Sequence, residues 1–171
     1  TYKLQDISNL ENVIFRCPNC GHEGIQANID QLECPKCNQK LKYDEFGRLN
    51  NNSIASNFEE QRAAIETLMD EDVNFKLETT ARLIRYSNNR LEETGTGTLT
   101  LSRAGYLYVG SDKGEQVTYK FDVKKVQYLP SDIGRNIQIY DNFELYQFEM
   151  TPPWLATKFV IVGEYLYRIN H

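Results

Sequence analysis

The sequence predicts a mainly β, α+β fold: a small cysteine-rich ribbon, a connecting helix, and a seven-stranded β domain with a C-terminal helix. Three observations support this prediction. All four cysteines lie within residues 17–37, as two Cys-x-x-Cys pairs. Seven short segments of β character follow one another between residues 73 and 150 without an intervening helical pattern. After Pro152-Pro153, apolar residues recur with the 3.6-residue period of a helix.

The two cysteine pairs are Cys17/Cys20 and Cys34/Cys37, and we call each Cys-x-x-Cys turn a knuckle. The thirteen residues between the knuckles can form a hairpin that brings them together. Four thiolates with this spacing predict a zinc ribbon, a tetrahedral Zn²⁺ site with Zn–S bonds of about 2.3 Å. Disulfides or a redox Cys-x-x-Cys are the alternatives, but neither accounts for two knuckles. The zinc is expected to be structural, because four protein ligands leave no open position for water or substrate.

The ribbon is predicted to span residues 13–45, after a polar lead-in or linker over residues 1–12. Residues 13–15 are expected to form a first strand that enters the first knuckle. Residues 31–33 should lead into the second knuckle, and residues 41–43 lead out of it. Gly21 and Gly24 provide the backbone turns that the first knuckle requires.

Residues 46–72 are predicted to be a loop followed by a connecting helix. The helix is expected to run from about residue 58 to residue 70, and Ser56 and Glu59 have the spacing of a capping box at its start. One face of this helix is apolar and is expected to pack against the next domain. That face contains Phe58, Ile65, Leu68 and Met69.

The β domain is predicted to span residues 73–171. Its candidate strands are residues 75–86, 96–102, 106–109, 117–123, 126–129, 137–139 and 143–150. Short strands at regular spacing predict an antiparallel sandwich or barrel. The last segment predicts an amphipathic helix with an apolar face of Leu155, Phe159, Val162, Leu166 and Ile169. Seven strands closed by one C-terminal helix is the arrangement of the pleckstrin-homology (PH) and GRAM superfold, so we expect a PH/GRAM-like barrel.

The charge distribution argues against nucleic-acid binding. Residues 1–72 carry 7 Lys+Arg against 13 Asp+Glu, a balance of −6, and residues 73–171 carry 12 against 11, a balance of +1, so the acidic excess lies in the ribbon half. A tetrathiolate zinc site adds about −2 to that half, whereas nucleic-acid binders carry a basic surface. No apolar run reaches the ~18–20 residues that span a bilayer. Paired metal-binding thiols indicate a reducing compartment, so the expected location is the cytoplasm.

No catalytic set of residues is evident outside the cysteines. His22 directly follows the first knuckle, but the four cysteines already complete the tetrahedron, so His22 is expected to lie at the surface or beside the metal ligands; His171 is the last residue. Gly95-Thr96-Gly97 resembles a nucleotide-binding GxG, but no further part of that motif follows it, so a β-turn with a glycine bulge is the favoured interpretation. Lipid head-group binding would need clustered cations. Those available are Lys124, Lys125, Arg82, Arg85 and Arg90, and the three arginines are not expected to share one strand face.

Six stretches of the chain resemble the C-terminal extension of Firmicute-type 1-acyl-sn-glycerol-3-phosphate acyltransferases. They are CPNCG (17–21), CPKC (34–37), FEEQR (58–62), GTGTL (95–99), YQFEM (146–150) and GEYLY (163–167). The resemblance extends over most of the chain, and the knuckles are its most specific motifs. The resemblance implies that the chain is an accessory region of a bacterial phospholipid-synthesising enzyme.

The catalytic His-x₄-Asp pair of those acyltransferases has no counterpart here, since Ala27 stands where an aspartate would follow His22. The chain begins with Thr1, and we expect it to be part of a longer protein with an N-terminal catalytic domain. The expected function is therefore a non-catalytic accessory or regulatory region, with that catalytic domain, another protein or the inner membrane surface as partner. The alternative is a stand-alone zinc-ribbon module that binds proteins.

Overall fold

The computed structural model describes Ile7, residues 9–125 and residues 136–170, with the side chain of Lys125 left out. The predicted strand at residues 126–129, most of the lead-in and His171 lie outside these residues. The chain divides into two compact units, Thr1–Thr67 and Leu68–His171. The architecture is α+β, as predicted from the sequence: a small sheet beside the cysteines, a helix, and a larger antiparallel sheet with a C-terminal helix.

The first unit contains a three-stranded antiparallel sheet in the order β1-β2-β3. Its strands are β1 Gln26–Asn28, β2 Gln31–Glu33 and β3 Lys40–Lys42. Leu32 stands opposite Ala27 on one side and Leu41 on the other, so this row of apolar side chains faces the interior. The buried core of the unit consists of Ile14, Cys17, Ile25, Leu32, Cys34, Leu41 and Leu49.

The helix α1 runs over Ile54–Glu71 and begins one turn earlier than predicted. The predicted capping box at Ser56 was wrong. The hydroxyl oxygen of Ser53 accepts the N–H of Ser56 at 3.0 Å, so Ser53 is the N-cap. The earlier start is stabilised by packing, because Ile54 and Phe58 lie against the ribbon core.

The second unit contains a six-stranded antiparallel sheet in the order β7-β6-β5-β4-β9-β8. The strands are β4 Leu77–Ser87, β5 Arg90–Ser102, β6 Gly105–Asp112, β7 Glu115–Phe121, β8 Asn136–Asp141 and β9 Glu144–Met150. Six of the predicted strands are thereby confirmed, with different ends. Phe143, predicted to begin the last strand, instead lies in the turn before β9 with φ of 65°.

Aromatic contacts show that this sheet curls on itself. Tyr119 of β7 and Tyr146 of β9 have ring centroids 5.2 Å apart, and Phe121 lies 5.0 Å from Tyr146. Three strands separate β7 from β9 in the sheet order, so these rings can meet only across a strongly bent sheet. The result is a half-barrel with an aromatic interior.

Glycines make the bend between β5 and β6 possible. Gly95-Thr96-Gly97 lies inside β5, so the predicted β-turn was wrong, although the pairing register does shift beside Gly95, between Leu83 and Ile84. A Cβ on Gly97 would lie 2.4 Å from the carbonyl oxygen of Val109 and 2.7 Å from the Cα of Gly110. The two strands therefore approach each other more closely than a side chain allows.

The helix α2, Trp154–Ile169, packs on the curled sheet and closes the PH-like half-barrel, as predicted. Its buried residues are Ala156, Thr157, Phe159, Ile161, Val162, Gly163 and Leu166. The side-chain amide of Asn170 donates to the carbonyl oxygen of Leu166 at 2.7 Å and satisfies one group at the helix end. Across the described part of the chain, neither helix is long and apolar enough to cross a membrane.

Candidate metal centre

The four cysteine sulphur atoms converge on one point. All four Sγ atoms lie within 4.8 Å of one another, and the pairs Cys17–Cys37 and Cys20–Cys34 are each separated by 3.6 Å. A tetrahedral ion with 2.3 Å bonds to sulphur requires S–S separations of about 3.8 Å, whereas a disulfide requires about 2.05 Å. The cysteines are free thiols in a geometry that fits a tetrahedral metal ion.

The two knuckles have the same backbone hydrogen bonds. The N–H of Cys17 donates to the carbonyl oxygen of His22 at 2.8 Å, and the N–H of Cys34 donates to that of Gln39 at 2.9 Å. In each case the bond joins the first cysteine to the residue five positions later. Because both knuckles have this hydrogen bond, they present their cysteines to the metal centre with equivalent backbone geometry.

The residue after the second cysteine of each knuckle adopts a left-handed conformation. Gly21 has φ of 78°, and Asn38 has φ of 63°. Glycine and asparagine are the residues that tolerate this region best. The requirement for Gly21 was predicted from the sequence, but the equivalent role of Asn38 was missed. An asparagine directly after the second cysteine of a knuckle could have indicated this left-handed position.

Neighbouring groups shift the pKa values of two of the thiols, Cys37 and Cys20, in opposite directions. The side-chain amide of Asn19 donates to the sulphur of Cys37 at 3.5 Å. This hydrogen bond, together with a backbone hydrogen bond from Gln39 and those of the neighbouring sulphurs, lowers the pKa of Cys37 to about 6. A backbone hydrogen bond from His22 lowers the pKa of Cys20, but desolvation and the adjacent sulphurs of the other three cysteines outweigh it and raise the pKa to about 11. Four thiolates at these distances require a cation to neutralise their charges.

The side chain of Gln61 on α1 holds the segment that enters the first knuckle. Its Oε1 accepts the N–H groups of Phe15 and Arg16 at 2.9 and 3.0 Å, and its Nε2 donates to the carbonyl oxygen of Val13 at 3.0 Å. Residues 13–15 are therefore not the predicted strand, because a side-chain amide takes the place of a strand partner. Sequence reasoning missed Gln61, whose only signal is a polar residue within the helix.

Substitution of Gln61 by Leu is expected to destabilise the first unit by about 3 kcal/mol, because three backbone groups would lose their partner and Phe15 is fully buried. Chelator-induced unfolding, followed by hydrogen exchange of residues 13–17, measures this loss. Gln26→Leu, at an exposed position of β1, is the matched control. Equal stability of the two variants would contradict the assigned role of Gln61.

The arginines considered for lipid head-group binding are bound to carboxylates. The partners are Glu93 and Glu149 for Arg82, Asp112 and Glu144 for Arg85, and Glu92 for Arg90. Each of the three arginines therefore has at least one carboxylate partner. Of the lysine pair, only the side chain of Lys124 belongs to the described residues, and it is exposed.

Arg85 instead lies on the inner side of the half-barrel and contacts residues of several strands. It donates to Asp112 of β6 at 2.7 Å, and its guanidinium lies 4.6 Å from the ring centroid of Tyr146 on β9. Burial would raise the pKa of Asp112, but hydrogen bonds from Tyr119 and Arg85 outweigh it and lower the pKa. A mostly buried network of hydrogen bonds and ion pairs that connects four strands indicates a structural role.

His22 is half-buried beside the first knuckle, and among the described residues only the four cysteines form a group able to hold a metal ion. In comparisons with known proteins, no family model and no curated protein sequence matches this chain. The geometry of the cysteine cluster is thus the main evidence on function.

Proposed function

We propose that the chain is a non-catalytic accessory region of a bacterial 1-acyl-sn-glycerol-3-phosphate acyltransferase. In this proposal the four cysteines hold a structural Zn²⁺, and the PH-like half-barrel positions or regulates a catalytic domain that acts at the inner face of the membrane. The six sequence stretches that resemble the acyltransferase extension support the assignment to this enzyme class.

The observation that carries the non-catalytic role is the composition of the metal centre. Four thiolates within 4.8 Å of one another complete a tetrahedron, so an ion held there has no position for a water or substrate. A catalytic zinc site keeps one position open. The ion would contribute folding free energy to a unit whose own core is small.

The test has two parts. The purified, zinc-loaded chain is expected to show no acyl transfer to lysophosphatidic acid from acyl-carrier substrates, with a complete acyltransferase as positive control. The coding sequence upstream of Thr1 is expected to encode a His-x₄-Asp motif. Turnover above the buffer rate, or an upstream sequence without that motif, would refute the proposal.

A second candidate function, a protein-interaction module, is favoured by a cleft in the first unit. The cleft has a volume of about 80 Å³ and lies between the first knuckle and α1. Ile14, Leu41 and Ala64 line it, together with polar residues of the knuckle and the helix. An aliphatic side chain of a partner protein would fit this volume. Ala64→Leu should then abolish binding of that partner without loss of zinc, and unchanged binding would exclude the cleft.

A further inference from the structure

The four cysteines of the metal centre differ in their access to solvent. Cys17 and Cys34, the first cysteine of each knuckle, are only 1% and 2% exposed and belong to the ribbon core. Cys20 is exposed, and Cys37 is half-buried. Both accessible residues are the second cysteine of a knuckle, so the cluster is open to solvent on one side and closed by the core on the other.

Sulphur contacts join the two knuckles crosswise. The sulphur of Cys20 lies 3.6 Å from that of Cys34, and the sulphurs of Cys17 and Cys37 are separated by the same distance. Each contact therefore pairs an accessible cysteine of one knuckle with a buried cysteine of the other. A disulfide bond is about 2.05 Å long, so a shift of about 1.5 Å would join either pair.

Exposure and hydrogen bonding distinguish Cys20 from Cys37. In the metal-loaded centre all four sulphurs are thiolates, so protonation does not decide which of them reacts. Each of the two accessible sulphurs accepts a backbone N–H, Cys20 from His22 and Cys37 from Gln39. Cys37 also accepts the side-chain amide of Asn19 at 3.5 Å, which occupies a lone pair on its sulphur. Cys20 is thus the more exposed sulphur and the one that an oxidant reaches first.

We propose that the cysteine cluster is also a redox site for hydroperoxides, in which Cys20 is the attacked sulphur and Cys34 resolves it as a disulfide. This function is additional to the accessory role proposed above and depends only on the four cysteines. In a reducing compartment such a disulfide is transient, which is typical of a redox signal and not of a permanent cross-link.

The reaction has two steps and consumes one peroxide. The thiolate of Cys20 attacks a peroxide oxygen, the O–O bond breaks, hydroxide leaves, and Cys20 becomes a sulfenic acid. The thiolate of Cys34 then attacks the sulphur of Cys20, the S–O bond breaks, and a second hydroxide leaves as the disulfide forms. The two sulphurs lose two electrons, and two protons from solvent convert the two hydroxides to water. Because two of the four thiolate ligands are lost, oxidation is expected to release the zinc.

The disulfide would also hold the hairpin together after the zinc has left. Strands β1 and β2 lie between Cys20 and Cys34 in the chain. A bond between these cysteines closes a loop around both strands and lowers the conformational entropy of the unfolded ribbon. Hydrogen exchange of residues 26–33 is therefore expected to be slower in the peroxide-oxidised chain than in the chelated chain, although both have lost the metal.

Mass spectrometry of the zinc-loaded chain treated with hydrogen peroxide tests the assignment. After alkylation of the free thiols, cleavage behind glutamate and then with trypsin yields separate peptides 17–23, 34–36 and 37–40. The first disulfide is expected to join peptides 17–23 and 34–36 through Cys20 and Cys34, as identified by fragmentation. Zinc release, followed with a chromogenic chelator, should proceed at the same rate as formation of this disulfide.

Asn19→Ala changes the competition between the two accessible sulphurs without removing a ligand. It deprives Cys37 of its side-chain donor, so the Cys17–Cys37 link should gain a several-fold larger share of the first disulfide. Asn28→Ala is the matched control, because the side-chain amide of Asn28 on β1 contacts Glu33 and not a sulphur. Its distribution of links should equal that of the wild-type chain.

Four results would overturn the proposal. They are first disulfides within a knuckle, a disulfide between two copies of the chain through Cys20, equal link distributions in Asn19→Ala and the wild-type chain, and retention of zinc under conditions in which the same peroxide oxidises free cysteine. None of these results depends on the acyltransferase assignment, which the upstream sequence tests separately.

Discussion

Removal of the metal by a chelator, or the substitution Cys34→Ser, is expected to unfold residues 13–43 while the β domain keeps its own cooperative transition. Two of the seven core residues of the first unit are the ligands Cys17 and Cys34, so loss of the ion disrupts the core itself. Structural zinc contributes on the order of 10–16 kcal/mol in zinc-finger peptides. A small ribbon does not retain its fold after a loss of that size.

Hydrogen exchange measured before and after chelation resolves the two regions. Protection of residues 13–43 should disappear, and protection of β4–β9 should remain. The first turns of α1 should lose protection with the ribbon, because Ile54 and Phe58 pack on its core. His22→Ala is the control, and its Co²⁺-substituted form should keep the absorption of a tetrahedral thiolate site. One transition that melts both units together would show that they do not fold separately.

The substitution Gly97→Val is expected to destabilise the β domain by about 3 kcal/mol or more. The new Cβ would lie 2.4 Å from the carbonyl oxygen of Val109, and the two nearest atoms on that strand belong to the backbone. Because backbone atoms cannot rotate away, β5 and β6 would have to separate at the point where the sheet bends. Loss of this bend would also separate the aromatic rings of the interior.

Urea denaturation of the β domain, followed by tyrosine fluorescence, measures this effect. Thr98→Val is the matched control, since Thr98 lies next to Gly97 in β5 and is exposed. It should change the free energy of unfolding by less than about 0.5 kcal/mol. If Gly97→Val were as stable as Thr98→Val, close strand approach at Gly97 would not be the cause of the bend.

The local parts of this protein were determined by its sequence. Two Cys-x-x-Cys knuckles predict a tetrahedral cluster because the spacing within each knuckle alone directs both sulphurs to one point. The six described strands of the β domain were predicted because alternation and turn residues are short-range signals. The C-terminal helix was predicted from its apolar period for the same reason.

Only the tertiary structure decided the features that depend on distant residues. Gln61 bonds to backbone groups 45 to 48 positions earlier, and no local pattern indicates such a bond. Helix α1 begins directly after its N-cap Ser53, earlier than predicted, because Ile54 gains burial against the ribbon core. Gly97 lies within a strand, where close contact with β6 replaces the predicted turn. In each case packing between segments distant in the sequence outweighed the local preference.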